Sequence, residues 1–144
     1  MTNADRTSNA ASPIQQILTS AKTIAVVGHS HKLHRASYQV AHYLRQQGYE
    51  VYPVNPVLST IDDEPCYATL QDVPVPIDIV NVFRRSEFLG AIATDVLALS
   101  PHPQCVWTQL SIYDTAAAQR LNDAGILTIM DACIKIEHQN RFKP

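Results

Sequence analysis

Residues 22–55, KTIAVVGHSHKLHRASYQVAHYLRQQGYEVYPVN, decide the fold. The stretch KTIAVVG (22–28) is almost continuously apolar and closes on a glycine, as suits a parallel strand covered on both faces. From Ser37 to Gln47, Val40, Tyr43 and Leu44 fall on one helical face, and Gly48 supplies the stop. A second apolar run, YEVYPVN (49–55), follows at once. Strand, loop, helix and strand in that order make a βαβ unit with a right-handed crossover.

The pattern continues outward in both directions. PIQQILTSA (13–21) predicts a leading helix, with Pro13 in its first turn and Ile14, Ile17 and Leu18 on one face. IDIVNVF (77–83) predicts a third strand. The connection before it, residues 56–76, is broken by prolines and holds one short helical turn around Leu70. Residues 86–99 space Leu89, Ile92, Val96 and Leu99 for a helix capped by Ser86. QCVWTQL (104–110) predicts a fourth strand, in which Trp107 belongs to the core. Asp114 caps a helix through Leu121 that ends at Gly125, and ILTIMD (126–131) is the fifth strand. The expected fold is α/β, Rossmann-like and doubly wound, with a mainly parallel five-stranded sheet and helices on both faces.

The 144 residues suit one domain, assigned to 13–144. The small polar stretch MTNADRTSNAAS (1–12) predicts a disordered tail rather than a signal peptide. A net charge of −2 with 46 % hydrophobic residues offers no basic stripe for nucleic acid and no membrane-surface signal. The apolar runs are too short to span a bilayer. Cys66, Cys105 and Cys133 are odd in number and lack a C-x-x-C pair, so a reducing cytoplasmic setting is expected.

The loop between the first strand and first crossover helix carries His29, His31 and His34 in the spacing H-x-H-x-x-H. Zinc hydrolases of the metallo-β-lactamase type use a similar run with aspartate before the third histidine, where this chain has Leu33. The place in the fold argues for another role and no metal is expected. In an open parallel sheet this loop faces a ligand, where free N–H groups and the helix dipole converge on an anion. Gly28 is the one glycine of a would-be G-x-G-x-x-G. Together with Ser30, Arg35 and Ser37 it supplies a tight turn, hydroxyls and a guanidinium suited to a pyrophosphate.

The combination of G-x-S and R-x-S-Y with P-V-N-P, V-F-R and a late cysteine resembles the small bacterial CoA-binding proteins. These are a Rossmann-like family related to the CoA-binding domain of the succinyl-CoA synthetase α subunit. The resemblance covers roughly residues 14–138. It implies that Gly28, His29, Ser30, Arg35 and Ser37 form the loop near the CoA phosphates. It places Asn55 and Pro56 beside the ribose or adenine, and Phe83 and Arg84 across the crevice. Gln109 and Cys133 are then expected toward the pantetheine path. His29 replaces a small residue of the family, Ser111 a frequent glycine and Ala132 a frequent arginine.

The implied cofactor is coenzyme A, or an acyl-CoA, in a binding protein with no stand-alone catalysis. The alternative is an NAD(P)-binding enzyme or redox sensor on the same fold. An NAD site places an acid about 20 residues beyond the glycine turn. Here the second strand ends in PVNP, with no acid after Glu50. A carboxylate there would also repel the 3′-phosphate of CoA. A partner-binding or metal-dependent protein that keeps only the scaffold is a further alternative. A homodimer or a protein partner is left open.

Overall fold

The computed structural model describes residues 12–142. The expected tail lies outside the described residues except for Ser12. That serine caps the first helix, α1 (Pro13–Ser20), accepting a bond from the Gln15 N–H at 3.1 Å. Five strands form one parallel sheet: β1 (Thr23–Val27), β2 (Glu50–Val54), β5 (Ile79–Val82), β6 (Cys105–Thr108) and β7 (Leu127–Ile129). Their spatial order is β2-β1-β5-β6-β7. The sheet reverses its direction of growth between β1 and β5, which opens a crevice at their C-terminal ends.

Helices cover both faces. On one face α1, α2 (Ala36–Gln46) and α5 (Ile134–Arg141) bury Ile17, Leu18, Val40, Leu44 and Ile134 against Ile24, Val26, Ile79, Cys105 and Trp107. On the other, α3 (Leu89–Leu97) and α4 (Thr115–Asp123) bury Ile92, Val96, Ala117 and Leu121 against Ala25, Val80, Val82 and Val106. The central strands are thus apolar on both sides, and their near-continuous hydrophobic runs follow from that double burial. Trp107 is fully buried, and its indole N–H donates to the Ala132 carbonyl.

Two expectations about elements need correction. Ser86 does not cap a helix spanning 86–99. Residues Ser86–Phe88 form a 3₁₀ turn ahead of α3, and the Ser86 hydroxyl accepts from the Tyr113 N–H, tying the β5 and β6 loops together. The connection after β2 keeps the expected helical turn, at Leu70–Asp72, but is not otherwise plain loop. It contains a small antiparallel hairpin, β3 (Thr60–Ile61) and β4 (Glu64–Pro65). Asp62 and Asp63 turn it with φ of 53° and 65°, conformations that asparagine, aspartate and glycine tolerate best. Asp114 caps α4 as expected, accepting from the Ala117 N–H.

Candidate functional site

The loop after β1 is built by a chain of local bonds. Gly28 adopts φ +86°, and its N–H donates to the Val54 carbonyl at 2.9 Å. A β-carbon here would stand 3.2 Å from the Arg84 Cδ and 3.3 Å from the Phe83 carbonyl carbon. The position therefore needs glycine twice over, for its dihedral and for the close approach of the β5 end. The buried Ser37 hydroxyl accepts from the Ser30 N–H, and the Ser30 hydroxyl accepts from the Lys32 N–H. The loop is thus held to the first turn of α2.

Asn55 performs the matching task at the end of β2. Its Nδ2 donates to the His29 carbonyl, while its Oδ1 accepts from the Val57 N–H, both at 3.0 Å. The first bond joins the two strand-end loops. The second is an Asx-type turn that shapes the chain leaving β2.

These loops enclose a cleft of about 370 Å³ at the crevice between β1 and β5. Of the residues expected at a site, Gly28, Ser30, Arg35, Ser37, Asn55 and Phe83 line it together. Arg35 is exposed just before α2 and makes no capping bond through its side chain. His31 and Lys32 add basic side chains to the lining, while Val57, Leu58 and Phe83 make an apolar wall. No carboxylate stands among the described lining residues. The cleft can accept an anion at one end and a flat apolar group at the other.

The structure separates the remaining expected residues from this cleft. His29 turns inward and is fully buried, with its ring edge-on to Tyr38. Its Nδ1 pairs with the Ser30 carbonyl, and its Nε2 has no partner among the described residues. Burial holds its pKa down at about 4, so this imidazole is neutral near pH 7 and gives an anion no charge. Pro56 is exposed beyond the cleft lining. Arg84 packs its guanidinium 4.1 Å above the Phe88 ring and lays its stem against Gly28, while Arg85 pairs with Glu87. Gln109 and Cys133 lie outside the lining, with Cys133 buried at the start of α5.

The histidine run does not converge. His31 and His34 are exposed while His29 is buried, and no metal-sized group of His, Cys, Asp or Glu occurs among the described residues. Sequence reasoning missed His31, Lys32, Ala36, Val57 and Leu58 as lining residues. The two basic ones lie within the phosphate-type loop, which was the available signal. Val57 and Leu58 are placed by the Asx turn, which an isolated sequence does not reveal.

A model of the CoA binding domain matches residues 22–139. The chain belongs to that CoA-binding domain family. Within it, the uncharacterised protein YneT of Bacillus subtilis is 39 % identical over 125 residues, covering 87 % of this chain and 91 % of YneT. The structure of cell-free ID.343 from Thermus thermophilus is 38 % identical with a TM-score of 0.85, covering 90 % of this chain and 96 % of that one. A hypothetical protein from Pyrococcus horikoshii OT3 is 31 % identical with a TM-score of 0.84, covering 88 % of each chain. In this CoA-binding family member, Ser111 adopts φ +65°. A glycine at that position meets no Cβ penalty in the left-handed region.

Proposed function

We propose that the protein binds CoA or an acyl-CoA in the cleft between β1 and β5, as a binding protein rather than a stand-alone enzyme. The observation that carries this reading is the cleft's chemistry. Arg35, Lys32 and His31 face the same space as Ser30 and Ser37, and no carboxylate is among the described lining residues. CoA presents a pyrophosphate and a 3′-phosphate, so a basic rim free of acids suits it better than NAD, whose ribose diol calls for an acid. The pyrophosphate lies at the Gly28–Ser37 loop and the start of α2, where backbone N–H groups assist Arg35. Asn55 shapes the nucleotide side from behind, and Phe83, Val57 and Leu58 flank the adenine.

His29 acts behind the loop as a buried spacer, and Arg84 supports Gly28. Gln109 and Cys133 stand toward the arm of the ligand. The three free, buried cysteines fit a reducing, cytoplasmic setting. No helix among the described residues is long and apolar enough to cross a membrane.

Native mass spectrometry of gently purified protein tests the reading. The expected result is an added mass of one CoA or acyl-CoA per chain, or its uptake when CoA is supplied. A retained nicotinamide nucleotide that supplied CoA does not displace would overturn it.

A further inference from the structure

Asn81 is the one asparagine in the sheet, at the centre of β5, and it is completely buried. Its neighbours in register are Val26 on β1 and Trp107 on β6. Both atoms of its amide, Nδ2 and Oδ1, lack a hydrogen-bond partner among the described residues. The buried Oε1 of Gln109 lacks one as well. A valine at position 81 would fill this environment without leaving an amide unsatisfied, and buried amides without partners are costly.

Strand geometry puts these two side chains on one face of the sheet. Residues two apart on a strand share a face, and Val82 stands opposite Thr108. Asn81 and Phe83 therefore lie on the same face as Trp107 and Gln109, with Asn81 diagonal to Gln109. Phe83 and Trp107 both pack in the apolar cluster on that side, together with Cys133. Phe83 also lines the cleft. Continuing the β5–β6 register sets Gln109 beside Phe83, the cleft's far wall, and Asn81 two residues behind it along β5. Gln109 is half-buried whereas Asn81 is enclosed, so an entering group meets Gln109 first.

We propose that Asn81 and Gln109 form an amide-recognition subsite for the arm of the bound ligand. An unpartnered carboxamide offers a donor and an acceptor side by side. Its best complement is another amide, which is neutral and presents the same two functions in reverse. A phosphate does not fit, because the site has no cation and the amide oxygens would oppose it. This inference rests on the CoA reading of the cleft, since the pantetheine arm of CoA carries two secondary amides while its nucleotide end carries none.

The test compares two ligands on the full chain: CoA, and adenosine 3′,5′-bisphosphate, which lacks the arm. Asn81→Val removes the amide with only a small change in volume. Titration calorimetry is expected to show the bisphosphate binding the variant as it binds the wild type. CoA binding should weaken about tenfold, the loss of roughly one hydrogen bond of this kind. The ligand-free variant should melt no lower than the wild type, because an unsatisfied amide has been replaced by an apolar group. Equal losses for both ligands, or no loss for either, would overturn the subsite while leaving CoA binding intact. Failure of the wild type to bind CoA would instead remove the functional reading and this inference with it. Gln109→Leu provides the second variant should Asn81→Val not fold. An arm-specific loss in it supports the subsite, and unchanged CoA affinity contradicts it.

Discussion

Replacing Gly28 with alanine perturbs the point where the β1 loop meets the end of β5. Alanine would have to adopt φ +86°, and the left-handed region costs an L-residue about 1–2 kcal/mol. Its β-carbon would also press on the Arg84 Cδ at 3.2 Å and the Phe83 carbonyl carbon at 3.3 Å. The arginine stem can swing away, but the Phe83 backbone is fixed by its N–H bond to the Val27 carbonyl. That overlap adds roughly 1 kcal/mol, within the range for overpacking. Gly48 provides the control, with φ +97° and nothing within 4 Å of a built β-carbon. At about 3 °C per kcal/mol for a domain of this size, Gly48→Ala should melt about 3–6 °C below the wild type. Gly28→Ala should melt about 6–9 °C below it. Thermal unfolding of both variants by circular dichroism reads the difference. If Gly28→Ala melts no lower than Gly48→Ala, the close approach between the loop and β5 is not as described.

Arg35→Ala should weaken CoA binding by about 1–3 kcal/mol, the loss of a charge-assisted bond, with the melting temperature nearly unchanged because the side chain is exposed. Calorimetry and a melt on the same sample check both halves, and an unaltered affinity would remove Arg35 from the site. Acidification should destabilise the fold through His29. Above pH 6.5 its imidazole is neutral whether the chain is folded or not. Between 6.5 and about 4 the unfolded chain takes up a proton that the buried ring refuses, so stability falls with pH by at most about 3 kcal/mol. Burial also lowers the pKa of His138, which acts in the same direction. Urea midpoints for wild type and His29→Gln from pH 7.5 to 4.5 should therefore converge as the pH falls. A constant gap between them would show that His29 does not titrate in this way.

The parts of the fold that rest on strong periodicity were legible from the residues. The five apolar runs, Gly48 after α2 and Asp114 before α4 act locally, and the structure keeps each in its expected place. Helix α5 was not legible. Its stretch IKIEH alternates apolar and polar residues at the start, and it buries Ile134 and His138, one of them polar. It also lacks a side-chain cap. The β3–β4 hairpin hid behind two aspartates where a turn signal would show asparagine or glycine.

The site divides along the same physical line. Gly28, Ser30, Arg35 and Ser37 are adjacent along the chain and share the loop. Asn55 and Phe83 reach the same cleft because β2 and β5 flank β1. The inward turn of His29 depends on Tyr38 and on the carbonyl of Ser30, contacts that no spacing rule encodes. A lone polar residue in an apolar strand, such as Asn81, becomes informative only once its burial and missing partners are known.

With a basic rim and no carboxylate among its described lining residues, the cleft should select CoA over NAD. Competition calorimetry with the purified full chain measures this directly. CoA is titrated into protein alone and into protein mixed with an equimolar amount of NAD. The expected result is a one-to-one CoA isotherm that equimolar NAD barely shifts, and a weaker response to CoA when its 3′-phosphate is absent. An isotherm in which NAD binds more tightly than CoA, or no heat and no thermal shift with CoA, would contradict it.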